Sequence, residues 1–288
     1  MIRLKAHAKI NLTLDITGLT DNGYHSLAMI MQSVALSDLI TIDSLSEGIL
    51  FSSESTRIPV NENNLVYKAT KLFLEKMSIP QNIHIDLKKR IPVSAGLAGG
   101  SADAAAVLVG LNEFFSCGLT LDELKSIGLE LGADIPFCIE GGTALCEGVG
   151  EIITKLPDIP DCYILIAKPM RGMSTPKAFG LYDEFEGALP TVNNSAAIKA
   201  LTEGDLDTLC LHMANKLQPV TESCVGTVKY LTDKFLEHGA KAAVMSGSGT
   251  AVFGVFTSRI IAEKCKKHLH RGVMSYITTP SPCGVTII

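Results

Sequence analysis

The sequence predicts an α+β fold in two domains with a ligand cleft between them. Three observations predict it. Strand-like and helix-like stretches are mixed along the chain, without the steady strand–helix alternation of a doubly wound sheet. A glycine-rich segment from Gly141 to Gly150, followed by Pro157 and Pro160, marks a boundary near residue 155. A loop of small residues from Ile91 to Gly100 runs straight into an alanine-rich, helix-forming run. The domains are therefore expected at residues 1–155 and 156–288.

Up to about residue 60 the chain reads as strands and turns. Ala8, Ile10, Leu12, Leu14 and Ile16 alternate on one face of a strand, and Lys9, Asn11 and Thr13 share the other. Asp21-Asn22-Gly23 is a turn signal. From Asn64 to Met77 the apolar stripe Leu65, Ala69, Leu72, Phe73 and Met77 predicts a helix, and Ile83 to Leu87 alternates as a strand. A helix over Ser101 to Phe115 follows the small-residue loop, and another over Leu121 to Leu131 stops at Gly132. The second half opens on an apolar strand, Tyr163 to Ala167. Helices are expected around Ser195 to Leu201, Leu206 to Leu217, Cys224 to His238 and Ile260 to His270. Strands at Ala242 to Met245, Ala251 to Phe256 and Met274 to Ile277 complete the pattern, with no internal repeat.

With 288 residues, 47% apolar and 19% charged, the chain can bury a substantial core and is not of disordered composition. A net charge of −5 without a lysine or arginine run argues against a nucleic-acid partner. The polar and charged residues of the first strand exclude a signal peptide, and no apolar run approaches the ~20 residues that cross a bilayer. The cytoplasm is the expected compartment. Eight cysteines are dispersed without a C-x-x-C pair, which argues for reduced core residues rather than zinc ligands. Cys138 lies close to Asp134 in sequence, but no histidine pairs with it, and core packing is its reading. The glycosylation patterns at Asn11 and Asn193 carry no meaning in such a compartment.

The chemistry concentrates in Ile91-Pro92-Val93-Ser94-Ala95-Gly96-Leu97-Ala98-Gly99-Gly100-Ser101-Ala102-Asp103. Glycines let backbone N–H groups approach a ligand, and the first helical turn leaves its donors unpaired and positive. Together they suit phosphate. The loop lacks the Gly-Lys pair of the common phosphate loop and does not fit G-x-G-x-x-G. Its plain reading is a tight turn capped by Ser101. Asp103, in the first turn of the helix, is favoured there by the dipole alone. Lys9 by itself reads as a solvated strand residue. Asp134, in Leu131-Gly132-Ala133-Asp134-Ile135-Pro136-Phe137, reads as a cap or turn residue bonding its own backbone.

Taken together, Ala8-Lys9-Ile10-Asn11-Leu12, Gly23-Tyr24-His25, the Pro92 to Ala106 loop, Leu131 to Pro136 and Ser246-Gly247-Ser248-Gly249 stand in the order seen in GHMP kinases. The chain resembles that family from about Leu4 to near its end. Within it, Lys9-x-Asn11, Gly-Tyr-His and Leu-Gly-Ala-Asp-Ile-Pro are similar to the members that phosphorylate a cytidine diphosphate-linked methylerythritol for isoprenoid biosynthesis. The resemblance implies an N-terminal domain like the second domain of ribosomal protein S5 and a ferredoxin-like C-terminal domain. It implies that Pro92, Val93, Ser94, Ala95, Gly96, Leu97, Ala98, Gly99, Gly100, Ser101 and Ala102 hold ATP, with Asn64 and Lys89 lining the adenine. Asp134 is then the base and Lys9 its positive neighbour. Asn11 bonds the acceptor, and Tyr24, His25, Thr175 and Phe179 receive its cytosine end. The turn from Ser246 to Thr250 is expected to close around the substrate or the loop, or else to be a plain hairpin turn. Mg2+ is expected on the ATP phosphates and water, without protein ligands. The expected partner is a small molecule, with no nucleic acid or membrane, and the state monomer or homodimer. Another GHMP small-molecule kinase and a non-catalytic nucleotide-binding regulator remain as alternatives. Retention of both Lys9 and Asp134 speaks against the regulator.

Overall fold

Two long strands organise the first half of the chain. In the computed structural model, which describes residues 1–20 and 23–288, β1 (Ile2–Leu19) and β2 (His25–Ser44) pair antiparallel along nearly their whole length. The expected turn at Asp21-Asn22 lies outside the described residues. The pairing shifts register between His7 and Ala8 and again between Asn11 and Thr13, which re-aims the side chains around Lys9 and Asn11. β3 (Gly48–Ser53), β4 (Asn82–Lys88), β5 (Thr143–Gly148) and β6 (Ile152–Lys155) extend this sheet. Two further strands join β1 from the far end of the sequence, β8 (Ala214–Asn215) in parallel and β12 (Val285–Ile287) antiparallel.

Helices α1 (Leu65–Lys76), α2 (Gly99–Phe114) and α4 (Ile135–Glu140) pack against this sheet, and α3 (Leu121–Leu129) packs on those helices. Asn64 caps α1 by accepting from Val66 N at 2.9 Å. Thr120 and Glu123 form a capping box on α3. Most of α2 is buried, from Ala102 through Leu108 and on to Leu111. Gly110 lets α2 lie close on the sheet, since a Cβ there would stand 2.6 Å from Ile42 Cδ1.

The second sheet, β11-β7-β10-β9, is antiparallel throughout. It comprises β7 (Tyr163–Pro169), β9 (Ala242–Met245), β10 (Val252–Phe256) and β11 (Val273–Thr278). Between β7 and β9 run α5 (Thr175–Asp183), α6 (Asn194–Glu203), α7 (Leu206–Leu211), α8 (Gln218–Cys224) and α9 (Thr227–Glu237). α10 (Arg259–Lys267) links β10 to β11. Taking α9 and α10 as the covering helices, the order is strand, helix, two strands, helix, strand, a ferredoxin-like arrangement. The α+β expectation is met.

Five points differ from the sequence reading or add to it. The helix expected over Leu206 to Leu217 breaks after Leu211, because Asn215 leaves the helical path. Its backbone pairs with Leu14 of β1, and its side chain donates to the carbonyls of Met245 and Gly247. The glycine-rich run is a hairpin of β5 and β6 as well as a connection. Thr175 begins a helix, and the segment around Val285 forms β12. The polar face of β1 is not solvated: Lys9, Asn11 and Thr13 are all buried. No helix among the described residues is long and apolar enough to cross a membrane.

Candidate active site

The loop between β4 and α2 is tied down by its carbonyls. Leu97 O accepts from Lys9 N at 3.2 Å, Ala95 O from Ala251 N at 3.1 Å and Gly96 O from Ser246 Oγ at 2.9 Å. In a trans peptide the next N–H points opposite to the C=O. The amides of Gly96, Leu97 and Ala98 therefore point away from those three partners. α2 starts immediately afterwards on Ala98, whose backbone is left-handed and which offers no side-chain cap. The first intrahelical bond, Ala102 N to Ala98 O at 2.8 Å, leaves the amides of Gly99, Gly100 and Ser101 without helical partners. Positive φ recurs at Ser94, Gly96 and Ala98, at 51°, 76° and 51°, the kind of alternation from which backbone anion nests are built. This is a cradle for phosphate oxygens. Ser101 sits inside the first turn and does not cap it, against the plain turn reading.

Not every glycine here serves a ligand. A Cβ on Gly96 would overlap the Ser246 carbonyl, and one on Gly99 would stand 2.9 Å from Ile91 Cγ2 and 3.0 Å from Lys89 Nζ. Both are small so that the loop can seat against protein. Gly100 faces more open space, its nearest neighbour being Leu65 Cδ1 at 3.6 Å.

Under the start of α2 lies a buried charge cluster. The Lys89 side chain is 6% exposed and donates to Asp103 Oδ2 at 2.6 Å and to Asp38 Oδ2. Asp38 Oδ1 accepts from the backbone amides of Arg90 and Ile91. Burial pushes the Asp103 carboxyl well above its ordinary range, against the pull of Lys89, and Asp38 pushes it the same way. The two carboxylates more than offset burial for Lys89 and raise its pKa. The expected adenine-lining pair is thus placed with its polar atoms already engaged. Lys89 is held between carboxylates, and Asn64 caps α1 while donating to Pro59 O at 2.8 Å. The sequence reading gave no role to Asp38 or to the Lys89–Asp103 bond; a carboxylate inside the apolar strand stretch Leu36 to Ile40 was the available signal.

Lys9 projects from β1 into the protein, 5% exposed, and donates to Asn11 Oδ1 at 2.7 Å. Asn11 N in turn donates to Ser246 Oγ at 3.3 Å, so strand, loop and second-domain turn form one connected unit. Asp134 stands at the N-cap of α4, yet its side chain makes no cap bond. The plain reading of Asp134 as a residue bonding its own backbone is not what the structure shows. No ion pair within 4 Å joins it to Lys9 among the described residues. Both charges nevertheless reach the same thiols. Burial raises Cys138 and Cys146, the latter to about 12, with Asp134 adding to the rise and Lys9 opposing it. These cysteines are inert core residues at neutral pH. α4 is braced from behind by the end of the chain: a Cβ on Gly141 would overlap Gly284, and one on Gly284 would overlap the Cys138 carbonyl.

At the other end of the cleft the expected aromatic residues gather, in a different order. His25 stacks on Phe179 with ring centroids 4.8 Å apart and 23° between planes. Its Nε2 bonds Asp183 Oδ1 at 2.8 Å, and its edge meets Tyr182. Tyr24 is 68% exposed, so the ring facing Phe179 here is His25. Thr175 Oγ1 lies 3.0 Å from Ser248 Oγ, joining the start of α5 to the second glycine turn. Asp183 was missed because α5 itself was missed.

A backbone cradle for phosphates, a buried ammonium and an uncommitted carboxylate suit phosphoryl transfer to a hydroxyl. The comparisons agree. Residues 64–142 match the family described as GHMP kinases N terminal domain, and residues 197–272 match GHMP kinases C terminal. The chain belongs to the GHMP kinases. This kinase is 42% identical over 268 residues to the 4-diphosphocytidyl-2-C-methyl-D-erythritol kinase of Clostridium tetani, covering 93% of this chain and 95% of that one. It is 43% identical over 272 residues to the enzyme of the same name from Lachnospira eligens, covering 94% of each. A crystal structure of 4-(cytidine 5'-diphospho)-2C-methyl-D-erythritol kinase superposes with a TM-score of 0.83 at 29% identity, covering 97% and 99% of the two chains. The homoserine kinase of Cytophaga hutchinsonii shares the fold, with a TM-score of 0.78 at 21% identity over 100% of this chain and 97% of that one. The kinase is an ATP-dependent small-molecule phosphotransferase.

Proposed function

We propose that this kinase transfers the terminal phosphoryl group of ATP to the 2-hydroxyl of 4-diphosphocytidyl-2-C-methyl-D-erythritol. The products are the 2-phosphate and ADP, on the methylerythritol phosphate route to isoprenoids. The observation that carries the chemistry is the setting of Lys9 and Asp134. A buried ammonium and a carboxylate free of local bonds share one neighbourhood, and Lys9 is also bonded through its own amide to the cradle loop. The choice of acceptor rests on the relatives and on the aromatic group around His25.

In this reading the cradle amides bind the ATP phosphates and fix them without side-chain charge. Asp134 accepts the proton of the attacking hydroxyl, contributing about 10²–10⁴-fold. Lys9 offsets charge growing on the transferred group. Asn11, already an acceptor for Lys9, orients the acceptor's hydroxyls. Tyr24, His25, Thr175 and Phe179 take the cytosine end. Among the described residues no three metal-ligating side chains converge, so Mg2+ would travel on the nucleotide's phosphates and water. Residues 1–155 then form the nucleotide domain and 156–288 the second domain, with β12 returning from the second to complete the first.

Turnover with ATP should be measured against this cytidyl acceptor, homoserine and mevalonate, following ADP. ADP release with the cytidyl acceptor alone is the expected result. Turnover of homoserine or mevalonate at equal efficiency would overturn the assignment.

A further inference from the structure

Lys168 is a buried lysine without a carboxylate. It is 5% exposed, and its Nζ donates to the carbonyl of Pro169 at 3.0 Å. Among the described residues no acidic group lies within ion-pair distance, whereas Lys89 has two. Burial first, and the like charge of Arg57 second, pull its pKa below the ordinary lysine range. An uncompensated buried cation costs stability, and perturbed groups of this kind cluster at functional sites.

Its position gives the charge a use. Leu165 of β7 pairs with Gly254, whose Cβ position faces Phe235 of α9, so Leu165 and Ala167 face the helices. By strand alternation Lys168 faces the opposite way, towards the first domain. Its cross-strand partner is Met274, and Arg57 Nη1 reaches Met274 Sδ at 3.5 Å. Arg57 lies on the β3–α1 connection, which ends at Asn64 beside the start of α2. Beyond Pro169 the chain runs to Gly172, where a Cβ would stand 3.2 Å from Ser94 in the cradle loop. Among the described residues, two cations without acidic partners thus stand on segments that lead to the phosphate cradle, one supplied by each domain.

We propose that Lys168 and Arg57 form an anion subsite that takes phosphate oxygens of bound ATP. The assignment rests on the reading that ATP lies along the cradle. It explains why the fold keeps a charge that it does not neutralise: bound nucleotide supplies the missing counter-charge, and closes the two domains on one ligand.

The test is Lys168→Met, with binding of ATP, ADP and adenosine measured on the purified full chain, together with the melting temperature without ligand. A charge-assisted bond to phosphate predicts Kd for ATP and ADP raised about ten- to hundredfold, with adenosine unchanged. The ligand-free melting temperature should hold or rise, since a buried charge has been removed. Lys168→Arg should recover part of the affinity. Unchanged ATP affinity in folded Lys168→Met, or an equal loss for adenosine, overturns the subsite. Should Lys168→Met not fold, the exposed Arg57→Gln carries the test: it must weaken ATP and ADP and spare adenosine, and wild-type binding there sinks the proposal. Failure of the wild-type chain to bind ATP would instead overturn the cradle reading.

Discussion

The two ends of the cleft are built on opposite plans. At the proposed phosphate end the groups on offer are backbone amides, in a loop fixed by buried contacts at Ser246, Ala251 and Lys9 and underlain by the Asp38–Lys89–Asp103 cluster. At the proposed base end they are side chains near the surface, with Tyr24 standing in solvent and His25 held by a single carboxylate and two rings. Phosphate is the same in every nucleotide, and a backbone cradle recognises it whatever the surrounding side chains become. An acceptor must be told from its relatives, and exchangeable side chains on a rigid frame are suited to that.

The comparison can be pressed by breaking each part. The largest effect belongs to the group between the two ends. Asp134→Asn keeps the shape of the site but cannot accept a proton, so kcat should fall about 10²–10⁴-fold while both substrates still bind. Near-normal turnover would return Asp134 to a turn residue. Next comes the support beneath the phosphate end. Lys89→Met strands two buried carboxyl groups and should cost about 3–5 kcal/mol of unfolding free energy in a denaturant titration. Unfolding at the wild-type midpoint would mean that the cluster does not brace the cradle.

At the base end the losses should be confined to one ligand. Tyr24→Ala should weaken the cytidyl acceptor by about 1–3 kcal/mol, the scale of one base–aromatic stack, and leave ATP binding as it was. Equal losses for both substrates would dissolve the division between the ends. The smallest effect is a pH response outside both. His7 bonds Thr286 of β12 at 2.9 Å, and burial lowers its pKa from 6.5. The unfolded chain therefore binds this proton first as pH falls. Stability contributed by neutral His7 is present above pH 6.5 and drains away below it, by at most about 1.4 kcal/mol per pH unit. Denaturation curves of wild type and His7→Gln across that range should differ in slope; parallel curves would remove His7 from the coupling.

What could be read from the sequence follows the same division. The cradle was legible because its signal is local: small residues running into an alanine-rich helical stretch. α1 was legible for the same reason, its stripe and its Asn64 cap lying within a few residues. The Lys89 cluster was not, because Asp38 lies 51 positions away and only the pairing of β2 with β4 brings them together. α7 was overextended because helical periodicity cannot register that Asn215 is needed by β1 and by the turn after β9. Lys9 looked solvated because a strand pattern does not say what will cover its second face. The partner of His25 was missed although Ser174 and Pro176 offered a helix-start signal for α5.

One consequence reaches back to how the molecule is made. The helix that carries Asp134 rests against Gly284, and the first sheet gains β12 only from residues 285–287. On a ribosome the cradle, Lys9 and Asp134 are all synthesised within the first half of the chain. They must nevertheless wait for residue 284 before the wall behind α4 exists. A nascent chain can therefore collect its loop, Lys9 and Asp134 early and still lack the support of α4 until residue 284 has emerged.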